Sequence, residues 1–143
     1  MRYDMEYTRY ENAYVIRLDK GEELTRCLTD FCEKERISYG TVSGIGACNH
    51  VLIGLYDMEE QLFHEKEFNE AMEIIHVTGN ISHTHDGPYL HLHVTLARQD
   101  LSMIGGHLKE CTISATCELH LQAYPLKIGR KPDPETGLNI YRF

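Results

Sequence analysis

Apolar residues recur along this chain in two rhythms, and the change from one to the other places its main helix. Residues 10–18 alternate, with Tyr14, Ile16 and Leu18 on one side and Val15 and Arg17 on the other, the period of a strand. Leu24, Cys27, Leu28, Phe31 and Cys32 then form a single stripe at spacings of three and four, the mark of an amphipathic helix. The pattern predicts a helix over 22–35, with Glu23, Arg26, Asp30, Glu33 and Lys34 on its wet side. Asp19-Lys20-Gly21-Glu22 has the spacing of a capping box at its start.

From Ile37 the strand rhythm returns. Strands are predicted over 37–43, 51–56, 61–68, 73–81, 89–98 and 113–121, with turns at Gly44-Ile45-Gly46 and Asp86-Gly87-Pro88. The last strand sets Ile113, Ala115, Cys117, Leu119 and Leu121 against Ser114, Thr116, Glu118 and His120. One helix with about seven strands describes an α+β fold, a mostly antiparallel sheet partly covered by the helix. Residues 127–137, rich in Pro, Gly and charge, read as a loop or arm, and 138–143 are apolar enough to dock. No repeat or linker divides the 143 residues, so the expectation is one domain, 1–143.

Strand periodicity also gives the chain its candidate chemistry. In Tyr89-Leu90-His91-Leu92-His93-Val94 the leucines and Val94 share one face, and His91 and His93 share the other, roughly 6–7 Å apart. Two imidazoles at that spacing can grip one metal ion, and His107, in Gly105-Gly106-His107-Leu108, sits on a segment able to supply a third. Gly105 and Gly106 read as a tight turn that lets backbones approach. The competing interpretation is a polar sheet face whose histidines are simply hydrogen-bonded. His50, His64, His76 and His120 take that interpretation, while His83 and His85, expected in a loop, are at most accessory ligands.

Composition removes several other functions. A net charge of −8, from 14 Lys and Arg against 22 Asp and Glu, opposes broad phosphate binding. No apolar run approaches the roughly 20 residues of a membrane helix. Met1-Arg2-Tyr3-Asp4-Met5-Glu6 has no apolar stretch, so no signal peptide and a cytoplasmic location are expected. The five cysteines, Cys27, Cys32, Cys48, Cys111 and Cys117, form no Cys-x-x-Cys pair and read as small reduced hydrophobes. Neither a Ser-His-Asp pattern nor a phosphate loop nor a dinucleotide motif is present.

Several segments resemble the PPC (plants and prokaryotes conserved) domain: Leu18-Asp19-Lys20-Gly21-Glu22, the run from Gly40 to Ala47, Gly79-Asn80-Ile81-Ser82, the run from Asp86 to His93, and Gly105-Gly106-His107-Leu108. Glu118 and Thr136-Gly137-Leu138 also fit. The resemblance implies a homotrimer with the histidine region near subunit contacts. It also brings a label, candidate DNA-binding protein, tied to the AT-hook that precedes the domain in plants. Gly129-Arg130-Lys131-Pro132 is the nearest stretch to such a hook here. It lacks the first arginine and is followed by Asp133 and Glu135, so no DNA-binding residues are assigned.

His91, His93 and His107 recur in the family's motifs and are the expected metal ligands. Zinc suits three neutral imidazoles, and nickel, copper or iron would also be accepted. Tyr89, Glu118, Gly105 and Gly106 are candidates for the surrounding pocket, with Glu118 the one carboxylate nominated. Two functions stay open. One is a trimeric regulatory or ligand-binding module with a histidine metal site. The other is a small metal-dependent hydrolase or lyase whose catalytic residues the sequence does not name.

Overall fold

The computed structural model describes residues 5–143. Residues 1–4, on which the expectation of no leader partly rests, lie outside the described residues. The chain runs β1 (Glu6–Tyr10), β2 (Ala13–Asp19), α1 (Leu24–Lys34), β3 (Gly40–Asp57), β4 (Leu62–Phe68), β5 (Met72–Thr84), β6 (Gly87–Ala97), β7 (Met103–Ala123), β8 (Gly129–Pro132) and β9 (Asn139–Arg142). Seven strands form one antiparallel sheet in the order β1-β2-β7-β6-β5-β3-β4, and α1 is its helix. β3 also pairs with β7, so β7, β6, β5 and β3 close into a ring.

The two longest strands, β3 and β7, hold this ring together. Three register shifts interrupt their pairing, and such bulges bend and twist a ladder. The turn expected at Gly44-Ile45-Gly46 is therefore strand interior. A Cβ at Gly44 or Gly46 would run into the carbonyl oxygens of Glu118 and Thr116 on β7, so close backbone approach is what requires glycine there. The predicted strand 113–121 is likewise only the carboxyl-terminal half of β7, whose first residues turn to pair with β6. Residues 37–39 precede β3, and the single strand predicted over 10–18 is the end of β1 and most of β2.

Helix α1 keeps its predicted stripe but not its predicted start. Gly21 donates to the Ile113 carbonyl at 2.8 Å and Ile113 to the Glu22 carbonyl at 2.9 Å. β7 thereby holds the chain extended past the proposed capping box. Glu23 is the N-cap instead, its carboxylate accepting from the amides of Thr25 (2.8 Å) and Arg26 (3.3 Å). Leu24, Cys27, Leu28, Phe31 and Cys32 are buried, and each full-sized apolar side chain among them contributes roughly 1.5–3 kcal/mol. Phe31 meets Tyr7 and Tyr14 edge-on, at 4.9 and 5.1 Å between centroids. Burial pushes the thiols of Cys32 and Cys117 up to about 12, as expected of inert core cysteines. All five cysteines are free and buried.

The tail departs furthest from expectation. Asp133 accepts from the amide and hydroxyl of Thr136, and its amide donates to the Leu138 carbonyl at 2.8 Å. These bonds fold the predicted arm into the β8–β9 hairpin, and Leu138, Ile140 and Tyr141 dock against the sheet beside the histidines.

Candidate metal centre

β6 carries His91 and His93 on one face, and β7 places His107 directly opposite His93. Ring centroids stand 5.2 Å apart for His91–His93 and 5.7 Å for each of the other two pairs. One ring nitrogen from each histidine lies within 4.8 Å of the others. A tetrahedral shell with bonds of ~2.0–2.1 Å sets ligand nitrogens roughly 3.3–3.4 Å apart, a spacing that small χ rotations reach. Phe63 of β4 backs His107 at 4.6 Å between centroids.

Glycine lets these strands crowd together. Gly79 on β5 pairs with Leu92, between the two β6 histidines, where a Cβ would overlap the His91 carbonyl. At Gly106 a Cβ would stand 2.7 Å from the Gly54 carbonyl oxygen of β3. Gly105-Gly106 is thus strand, not the expected turn.

Electrostatics favour neutral rings. Burial lowers the pKa of His91 most, followed by the positive charges of His93, Arg130 and His107. Burial and then His93 lower that of His107, with Lys109 adding to the effect and Glu65 opposing it. Both rings therefore keep the lone pair that a metal requires at neutral pH. No side-chain hydrogen bond among the described residues engages the three rings. His50, by contrast, meets Asn69 at 2.7 Å and Glu110 at 3.3 Å, and His85 lies beside Asp86. His83 is a β5 residue paired with Pro88, not a loop histidine, and lies outside the cavity.

The trio forms one wall of a cavity of ≈ 660 Å³. Of the pocket candidates, Tyr89 and Gly106 line it, whereas Gly105 and Glu118 do not. Glu118 is exposed, in register with Arg17 on one side and Ile45 on the other. Strand alternation puts it on the sheet's outer face. Tyr56, Phe63, Arg130 and Tyr141 also line it, and the sequence reading assigns none of them to the site. They come from β3, β4 and the hairpin, elements whose meeting no local pattern records.

A second group, Asp57, Glu60 and His64, also gathers within 4.8 Å. Asp57 there caps the turn after β3, accepting from the amides of Glu59 (2.8 Å) and Glu60 (2.9 Å), and His64 rests on it at 3.3 Å. That arrangement accounts for itself as a turn.

The chain matches the Plants and Prokaryotes Conserved (PCC) domain over residues 5–125. It belongs to that family, the PPC family of the motifs above. Among solved structures of the family's fold, a protein from Bacteroides thetaiotaomicron described as a candidate DNA-binding protein is 34% identical, with a TM-score of 0.94 and 97% of each chain covered. A metal-containing protein from Archaeoglobus fulgidus is 31% identical, with a TM-score of 0.85 over 100% of this chain and 99% of that one. A PPC protein from Pyrococcus horikoshii is 30% identical, with a TM-score of 0.85 over 97% and 94%. No curated protein sequence is a significant match. Arg130 of the hook-like stretch, beyond the matched residues, lines the histidine cavity.

Proposed function

We propose that this PPC-domain chain is a metal-dependent ligand-binding module, working as a homotrimer, in which His91, His93 and His107 hold one divalent ion. Zinc is the first choice, with nickel, copper or iron as alternatives. The observation carrying this reading is the convergence of three imidazoles from two paired strands on one cavity wall. Similarity to the metal-containing Archaeoglobus protein supports it.

Three protein ligands leave room for an exogenous group, and a bound ion would supply Lewis acidity there. Hydrolase or lyase chemistry would also need a proton acceptor. The cavity lining contributes tyrosines but no carboxylate among the described residues, which favours binding over catalysis. The DNA-binding description of the Bacteroides relative finds little support in a chain of net charge −8. Among the described residues no helix is long and apolar enough to cross a membrane.

Elemental analysis of the purified protein tests the reading. Near-stoichiometric metal, located among the three histidines by anomalous scattering, is the expected result. Metal-free protein that takes up no zinc, nickel, copper or iron would overturn it.

A further inference from the structure

Arg130 enters the histidine cavity from β8 in an arrangement of its own. Its guanidinium lies between the rings of Tyr89 and Tyr141, 4.7 and 4.4 Å from their centroids. Nε donates to the hydroxyl of the fully buried Ser82 at 2.8 Å. One terminal nitrogen donates to Asn80 Oδ1 at 2.8 Å and the other to the Asn139 carbonyl at 3.3 Å. All three acceptors are neutral. Arg98, by comparison, is forked onto Glu70 at 2.6 and 2.9 Å, whereas Arg130 has no ion-pair partner among the described residues.

A half-buried charge normally finds a counter-charge, and this acidic chain has many to offer. Instead, aromatic faces and neutral oxygens surround the guanidinium and leave it without a counter-charge among the described residues. Of its five N–H donors three are engaged, leaving one on each terminal nitrogen. That is the complement of an oxyanion. The remaining walls, Leu55, Tyr56, Phe63 and Ile140, are apolar or aromatic, and they suit an organic body better than a heavily hydrated inorganic ion.

We propose that the cavity binds a small organic carboxylate, its anionic end on Arg130 and its apolar or aromatic body against Tyr56, Phe63 and Ile140, pointing toward the three histidines. This names the ligand class for the site proposed above and rests on that reading for the metal end alone. The planar, two-pronged guanidinium matches a carboxylate, and a cavity of ≈ 660 Å³ is in the range of small-molecule sites.

The test titrates benzoate, benzamide and inorganic phosphate calorimetrically into protein of measured zinc content, both zinc-loaded and dialysed against chelator. Benzoate is expected to bind in both forms, with benzamide and phosphate at least roughly tenfold weaker. Arg130→Gln should weaken benzoate by roughly ten- to a hundredfold while zinc content stays at the wild-type level. Equal affinity for benzoate and benzamide, phosphate binding as tight as benzoate, or unchanged benzoate affinity in Arg130→Gln would each overturn the proposal. The comparison of benzoate with benzamide needs no variant, so a misfolded Arg130→Gln leaves the proposal open to refutation. Zinc uptake without benzoate binding would sink this inference alone. Benzoate binding in a protein that takes up none of the candidate metals would sink the metal reading alone.

Discussion

His107 on β7 faces His93 on β6 across an antiparallel pair, their ring centroids 5.7 Å apart. Backbone register sets this relationship, so the two imidazoles are held together before any ligand arrives. His91, two residues along β6, completes a triangle whose edges differ by only half an ångström. Preorganisation of this kind removes much of the ordering cost of binding.

Removing one corner should release the ion. His107→Ala is expected to reduce the metal retained through gel filtration to below roughly a tenth of wild type, with an unchanged far-ultraviolet dichroism spectrum. His83→Ala, outside the cavity, should retain the wild-type amount. Equal metal in all three proteins by elemental analysis would place the ion elsewhere.

The metal-free protein should lose stability as pH falls. His91 and His107 have folded pKa values below their ordinary one, so below about 6.5 the unfolded chain binds protons that the folded chain resists. Their contribution is therefore present above about 6.5 and declines as pH drops toward their folded values. Urea titrations of chelator-treated protein between neutral and mildly acidic pH check this. Replacing both residues by Gln should flatten that part of the profile, and an unaltered slope would refute it.

Gly79→Ala should damage fold and site together. The new Cβ would overlap the His91 carbonyl and crowd the Leu92 Cα, so a cost of about 2–4 kcal/mol is expected, with weaker metal retention. Gly21→Ala meets nothing within 4 Å but sits at φ +92°, and strain alone should cost about 1 kcal/mol. Thermal melts of the two variants compare steric overlap with backbone strain.

Light scattering at micromolar concentration should report about three times the 16.5 kDa chain mass. Val15 and Ile45 stand 58% and 56% exposed on the outer face of β2, β7 and β3, beside Ser43 and His120. The same face carries Arg17 and Glu118, the latter in register with Ile45, and burial against a copy would remove the two apolar side chains from water. Ile45→Asp should shift the protein to monomer, and a wild-type monomer would end the trimer proposal.

DNA affinity at physiological salt should be weak. The acidic balance opposes phosphate contact, and Arg130, the arginine of the hook-like stretch, is committed to Ser82, Asn80 and two tyrosine rings. Tight, A·T-preferring band shifts abolished by Arg130→Ala would contradict this.

Local periodicity determined much of this molecule. The apolar stripe of α1, the inward face Tyr14-Ile16-Leu18 and the pairing of His91 with His93 follow from spacings of two to four residues, which a helix or strand converts directly into a shared face. The hairpin of the tail was also within reach, because Asp133 and Thr136-Gly137 are turn residues. Other features depended on contacts distant in sequence. Strand β3 continues through Gly44 and Gly46 because β7 lies against it, and Glu118, on the polar side of its strand's alternation, stands apart from the histidine cavity because β2 and β3, not β6, flank it there. Arg130 belongs to the histidine cavity because a hairpin some forty residues away folds back over β5 and β6. Periodicity states which face a side chain takes within its own element. Which elements then share a wall is decided by long-range pairing and packing, and no short window of sequence contains that information.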